Sequence, residues 1–164
     1  MSSSTPELTA AVLTVSDSSS RGEREDLGGP AVAGTLEKHK FCVVAREIVP
    51  DEQGAISEAI VRLCGQARFV VTTGGTGIAP RDVTPEATCA VCDRLVEGIS
   101  ERIRSEGTKK TKFAALSRAV CGVRGQSVIL NLPGKPAGAV ESLEAVVDLI
   151  PHMVQLLGGN TRHD

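Results

Sequence analysis

Arg68-Phe69-Val70-Val71-Thr72-Thr73-Gly74-Gly75-Thr76-Gly77-Ile78-Ala79-Pro80-Arg81-Asp82, followed after Val83 by Thr84-Pro85-Glu86, is the stretch from which the fold can be read. Its first six residues form a short, mostly apolar run, which reads as a buried strand. Three glycines then break the strand and give the chain backbone freedom that other residues lack. Thr84 as N-cap, Pro85 at the first helical position and Glu86 in the first turn announce a helix. A strand that passes through a glycine-rich loop into a helix N-terminus is half of a strand–helix–strand unit.

Working outward, the same alternation recurs. Leu8 to Val15 predicts a strand that runs into the polar loop Ser16-Asp17-Ser18-Ser19-Ser20, with Leu27 to Lys40 as the next helix. Phe41 to Val49 predicts a second strand, punctuated by Pro50-Asp51-Glu52. Ile56, Ile60, Leu63 and Cys64 then fall on one helical stripe that ends at Gly65. Beyond the glycine loop, Ala87, Val91, Leu95, Ile99 and Ile103 predict one helix from Thr84 to about Ser105. Phe113 to Val120 reads as a short helix and Ser127 to Asn131 as a fourth strand, turned by Pro133-Gly134-Lys135-Pro136. A final helix carries Val140, Leu143, Val147, Ile150 and Val154, with a kink near Pro151. Residues 1–7 and 158–164 read as tails around a single domain, 8–157. Strands alternating with helices imply an α/β fold, a mostly parallel sheet covered on both faces, with ligands bound beyond the carboxyl ends of the strands. The loops after Val15, Val49, Thr73 and Asn131 all lie at such ends.

Composition removes several function classes. Aromatic residues make up only 2% of the chain, with no Trp, no Tyr and three Phe, and the net charge is −2. A platform for stacking bases is hard to build from three rings, and a protein that tracks a phosphate backbone usually carries a basic excess. Nucleic acid is therefore not the expected partner. No apolar run approaches the length of a membrane span, and the Ser-rich N-terminus lacks the features of a secretory signal, so a cytoplasmic location is expected. Five cysteines, an odd number and thinly spread, suit free thiols in a reducing compartment. Cys89 and Cys92 form a C-x-x-C inside the predicted helix, with no second pair to complete a zinc site, and read as packing.

The loop itself is the chemical signal. Backbone N–H groups freed by Gly74, Gly75 and Gly77, next to a helix N-terminus, suit a phosphate or other small anion. It is neither a dinucleotide fingerprint, which needs glycine where Pro80 stands, nor a G-x-x-x-x-G-K-[ST] phosphate loop; the plain alternative is a flexible turn. Arg81 is able to clamp phosphate oxygens, and Asp82 beside phosphates makes sense with a cation between them, which suggests Mg²⁺; equally, Arg81 and Asp82 read as a surface ion pair or a helix cap. Asp51 suits the N-cap of the helix after it. Lys135 reads either as a phosphate contact or as a solvated side chain.

From Thr72 to Thr88 the chain closely resembles the MogA/MoaB family of molybdenum cofactor biosynthesis, the molybdopterin adenylyltransferases. The likeness continues in Leu116-Ser117-Arg118-Ala119, Gly122-Val123-Arg124-Gly125 and Asn131-Leu132-Pro133-Gly134-Lys135-Pro136. It reaches back to Val15-Ser16-Asp17 and Val49-Pro50-Asp51-Glu52, and so spans Leu8 to Leu157. The resemblance implies a three-layer α/β sandwich and a homotrimeric enzyme that uses ATP and Mg²⁺. Such an enzyme adenylylates the terminal phosphate of molybdopterin, releases pyrophosphate, and is placed for hand-over to a molybdate-insertion enzyme. It implies Asp51 and Asp82 as catalytic and metal-holding residues. Gly74, Gly75, Thr76, Gly77, Arg81, Ser16 and Asp17 would bind nucleotide phosphates, and Ser117, Arg118, Pro133, Gly134 and Lys135 the pterin. Lys135 stands where the family more often has Asn or Ser. A non-catalytic pterin-binding paralogue and a nucleotide pyrophosphatase of related fold are the alternatives.

Overall fold

The computed structural model describes residues 7–159. Apart from Glu7, Gly158 and Gly159, the tails expected at 1–7 and 158–164 lie outside the described residues. The elements run β1 (Thr9–Val15), α1 (Asp17–Ser20), α2 (Gly28–Lys38), β2 (Cys42–Val49), α3 (Gln53–Cys64), β3 (Phe69–Thr73), α4 (Thr84–Cys89) and β4 (Arg94–Leu95). There follow α5 (Glu97–Thr108), a 3₁₀ turn (Lys112–Leu116), β5 (Cys121–Arg124), β6 (Ser127–Leu132), α6 (Pro136–Glu144), a second 3₁₀ turn (Val147–Leu149) and α7 (Ile150–Leu157).

One six-stranded sheet has the order β2-β1-β3-β6-β5-β4. The β2–β1, β1–β3 and β3–β6 pairs are parallel, whereas β5 runs antiparallel to both β6 and β4. Side chains of the central strands alternate between two cores, as the two-residue period of a pleated strand requires. Ala10, Val12, Phe69, Val71, Val128, Leu130 and Leu132 pack on one face with α2, α5, α6 and α7. Ala11, Leu13, Val15, Val70 and Ile129 pack on the other with α3 and Ala87 of α4. Both faces of β1, β3 and β6 are thereby buried, which gives the expected three layers and explains why these strands read as continuous apolar runs, whereas the edge strand β2 leaves Val44 and Ile48 exposed.

Four local expectations are corrected. The helix expected from Thr84 to Ser105 is two helices with a strand between them. Its stripe cannot be one face of one helix, because Ala87 and Val91 join the core on one side of the sheet while Ile99 and Ile103 join the other. The chain crosses between faces at the sheet edge, where Asp93 N–H bonds Val123 O at 2.8 Å and Val96 N–H bonds Cys121 O at 2.8 Å. The helix expected over Phe113–Val120 is only a 3₁₀ turn, and the chain then extends into β5, whose Gly122 has no room for a side chain against Cys92. The final helix is broken rather than kinked, with Pro151 in the first turn of α7. The polar loop after β1 contains the single turn α1, capped by Ser16 Oγ accepting from Ser19 N–H at 3.2 Å. Among the described residues no helix is long and apolar enough to cross a membrane.

The chain leaves β1 to one side to make β2 and returns on the other to make β3. The strand order therefore reverses beside β1, and a crevice opens above the carboxyl ends there.

Candidate active site at the carboxyl ends of the strands

Four segments meet in that crevice. After β1 and β2, Asp17 and Asp51 clasp each other's backbone: Asp17 N–H donates to Asp51 Oδ2 at 2.9 Å, and Asp51 N–H donates to Asp17 Oδ1 at 2.9 Å. Asp51 is thus not a helix cap; Glu52 takes the cap position of α3, without a side-chain bond. Arg81 grips Asp17 with both arms of its fork, Nε to Oδ2 at 2.6 Å and Nη2 to Oδ1 at 3.0 Å. That guanidinium holds the Asp17 carboxyl down at about 2. Asp51 moves the opposite way: burial raises its pKa, and the nearby Asp17 and Asp82 carboxylates add to the rise.

The loop after β3 is fitted against these acids by its glycines. Gly74 (φ +104°) lies where a Cβ would strike Val15 O, and Gly75 (φ +69°) where it would strike Thr84 Oγ1 and approach Asp51 Oδ1 at 3.1 Å. Both positions demand glycine for conformation as well as space. Gly74 N–H is taken by Leu132 O at 3.0 Å, but among the described residues the N–H groups of Gly75, Thr76, Gly77 and Ile78 meet no acceptor. Ala79 N–H donates to Asp82 Oδ2 at 2.9 Å, which turns the loop back, and Gly77 leaves room for that carboxylate.

A buried polar network supports the loop from below. Asn131 Nδ2 donates to Thr72 Oγ1 at 2.9 Å and to Thr88 Oγ1 at 3.0 Å; Thr88 Oγ1 donates to Thr84 O at 2.8 Å, and Thr84 Oγ1 to Gly74 O at 2.9 Å. Every hydroxyl in this network finds a partner, so burial stiffens it instead of straining it. Thr84 therefore serves as the first residue of α4, after Val83, and not as its cap. On the far side, Thr73 Oγ1 donates to Pro133 O at 2.8 Å, and a Cβ on Gly134 would stand 3.4 Å from Gly74 Cα, so the turn after β6 lies directly against the glycine loop.

Beyond Thr76 and Gly77 opens a cavity of about 620 Å³, lined among others by Arg104, Phe113, Ser117, Pro133, Gly134 and Lys135. Arg104 is already bonded to Ala119 O at 3.0 Å, and Lys110, also on the lining, pairs with Glu141 at 3.4 Å. Lys135 has no ion partner among the described residues. Residues 11–152 match the family model described as a probable molybdopterin binding domain. The chain belongs to this family, in its MogA/MoaB branch. It is 44% identical over 153 residues to the molybdopterin adenylyltransferase of Helicobacter pylori strain J99, covering 91% of this chain and 87% of that protein. It is 38% identical to the Escherichia coli K12 molybdopterin adenylyltransferase, covering 90% and 84%. Among solved structures, the molybdopterin biosynthesis enzyme MoaB of Thermus thermophilus superposes with a TM-score of 0.86 at 48% identity, covering 93% of this chain and 97% of that one.

On this MogA/MoaB frame the residues singled out in the sequence fall into three groups. Ser16, Asp17, Asp51, Gly74, Gly75, Arg81 and Asp82 gather around the acidic clasp. Thr76, Gly77, Ser117, Pro133, Gly134 and Lys135 line the cavity. Arg118 does not line it; its guanidinium turns back to the loop. Sequence reasoning gave no role to Thr14, Asp26 or the α2 glycines. Thr14 Oγ1 donates to Asp26 Oδ2 at 2.8 Å and Gly29 N–H to Asp26 Oδ1 at 3.0 Å, and a Cβ on Gly28 would sit 3.4 Å from Gly134 O. Glycines that weaken a helix start were the available signal: they mark the close approach of α2 to the site.

Proposed function

We propose that this chain is a molybdopterin adenylyltransferase that acts in molybdenum cofactor biosynthesis. The observation that carries the reading is the side-by-side arrangement of two unlike compartments. Four loop amides without an acceptor among the described residues lie beside the acidic pair Asp51 and Asp82, and a roomy cavity lined by Lys135, which has no ion partner among those residues, opens directly beyond Thr76 and Gly77. The names of the relatives point the same way.

In this reading a phosphate oxygen of molybdopterin attacks the α-phosphorus of ATP. A bond forms between them as the bond from that phosphorus to the β-bridging oxygen breaks, and the electron pair leaves with pyrophosphate. A phosphate monoester has a second pKa of about 6, so the attacking oxygen is already deprotonated near neutrality and needs no base. The obstacle is repulsion between two anions, together with their alignment. The amides of Gly75 to Ile78 receive phosphate oxygens with no reorganisation. Lys135 neutralises and steers the pterin phosphate from the cavity side.

Mg²⁺ fits the remaining charge. Asp51 and Asp82 are hard oxygen donors against Gly75 and Gly77 of the loop, and the pKa of Asp51, raised by burial and by its acidic neighbours, marks a spot where a cation would be welcome. No cluster of three or more ligating side chains exists among the described residues. That suits an ion held by one or two carboxylates with substrate phosphates completing its shell. When bound, Mg²⁺ would draw off charge from the phosphates. Arg81 keeps Asp17 occupied, so that Asp51 offers its carboxylate without a competing cation. A homotrimer, and hand-over of the product to a molybdate-inserting enzyme, belong to the same proposal.

The test is direct incubation with molybdopterin, ATP and Mg²⁺. The expected products are adenylyl-molybdopterin and pyrophosphate in equal amounts. Pterin binding without ATP consumption would make the chain a carrier, and ATP hydrolysis without pterin would make it a pyrophosphatase; either result ends this reading.

A further inference from the structure

Arg118 directs its hydrogen bonds at the glycine loop and α4 and does not line the cavity. Its backbone N–H donates to Thr76 O at 2.8 Å, its Nε to Gly77 O at 2.8 Å and its Nη2 to Asp82 O at 2.8 Å. Its Nη1 donates to both carboxylate oxygens of Glu86, at 3.0 and 2.8 Å. One residue thus ties both ends of the glycine loop to each other and to α4. We propose that Arg118 and Glu86 form a brace that sets the direction of the loop amides, with Arg118 a positioning residue and not a ligand of the pterin. This rests on the adenylyl-transfer reading.

The geometry works through planar peptides. In a trans peptide the carbonyl of one residue and the N–H of the next point in opposite directions across one rigid plane. The chain has no cis bonds. Holding Thr76 O and Gly77 O therefore fixes Gly77 N–H and Ile78 N–H, two of the four unpartnered donors, pointing away from Arg118. Holding Asp82 O fixes the backbone that carries the Asp82 carboxylate. Glu86 contributes by locking the guanidinium in one orientation. The pair is about 40% exposed on each side, so its ion-pair energy is small and its value is directional. A lysine cannot replace it, since the fork that reaches two carbonyls and a carboxylate is planar and fixed.

The experiment measures kcat, molybdopterin Kd and amide hydrogen exchange at Ala79, the loop amide that is bonded to Asp82 Oδ2, in the wild type, Arg118→Ala, Arg118→Lys, Glu86→Gln and the double variant Glu86→Gln/Arg118→Ala. Arg118→Ala keeps the backbone bond to Thr76 O but releases Gly77 O and Asp82 O, which frees Ile78 N–H; it should lower kcat about 100-fold, with Kd within about threefold and loop exchange about tenfold faster or more. Arg118→Lys should not rescue kcat. Glu86→Gln should lose about tenfold, and the double variant should be no slower than Arg118→Ala, because the two act as one unit. Kd weakened by about tenfold or more in Arg118→Ala, with unchanged loop exchange, would make Arg118 a pterin ligand and overturn the brace. If the wild type transfers no adenylyl group, the functional reading fails, while exchange and Kd still decide on the brace.

Discussion

The two ends of the crevice are built on different principles. Under the ends of β1 and β2, charges are already paired before any substrate arrives: Asp17 is held by Arg81 and exchanges backbone bonds with Asp51, all within 2.6–3.0 Å. Past Thr76 and Gly77, apolar and glycine residues share the wall with charged ones and the space is about 620 Å³, with Lys135 lacking an ion partner among the described residues. A site that must align phosphates gains from charges that do not reorganise, whereas a site that admits a bulky ring system needs room. The glycine loop is the partition between them, braced by Arg118 on one side and by Asn131, Thr72, Thr88 and Thr84 underneath.

Breaking the partition should have the largest effect. Gly75→Ala puts a Cβ against Thr84 and Asp51 at a positive φ, so both strain and crowding apply, at about 2–5 kcal/mol together. Thermal or denaturant unfolding should show that loss, and molybdopterin binding and turnover should fall together in what remains folded. Removing the Lys135 charge should separate the two ends instead. Lys135→Ala is expected to weaken molybdopterin about tenfold, or about 1.4 kcal/mol, with kcat within about threefold. Titration at rising salt should shrink the difference from wild type, as screening of an exposed charge requires.

The smallest effect concerns the clasp alone. The Asp17 carboxyl falls from its ordinary 3.8 to about 2 through the Arg81 bond. A depressed carboxylate stabilises the folded state above the ordinary value and loses that contribution as pH falls through the folded one. Wild type should therefore exceed Arg81→Ala in stability above about pH 4, with the gap closing toward pH 2 and narrowing in high salt. Asp51 runs in the other direction, since its raised pKa makes ionisation cost stability as pH rises through the range above 3.8.

Much of this was legible in the chain itself. Alternating apolar runs and helical stripes located β1, β2, β3, β6 and the helices α2 and α3, because those elements are buried on regular faces. The loop glycines announced a loop packed closely against its neighbours, as Gly74 and Gly75 are against Val15, Thr84 and Asp51. What stayed hidden depended on tertiary pairing. The β4–β5 edge carries too few apolar residues to signal a strand, and its backbone bonds at Asp93 and Val96 exist only once β5 is in place. The stripe from Ala87 to Ile103 fitted helical spacing by coincidence across a crossing of the sheet edge. Asp51 looked like a cap because it follows Pro50 before a helix, yet its partner is Asp17, thirty-four positions away. Arg118 matched a pterin-side segment, but only coordinates reveal that its donors face the loop.

The division between a transfer end and a binding end is tested most directly by Asp82→Asn, with turnover and molybdopterin affinity measured on the same preparation. The substitution keeps the side-chain shape and its oxygen for Ala79 N–H, and removes the charge beside the loop amides. The expected result is a kcat lower by about 10²–10³-fold, with molybdopterin Kd within about threefold of wild type. Unchanged turnover, or a parallel collapse of pterin binding in a protein that unfolds at the wild-type temperature, would contradict it.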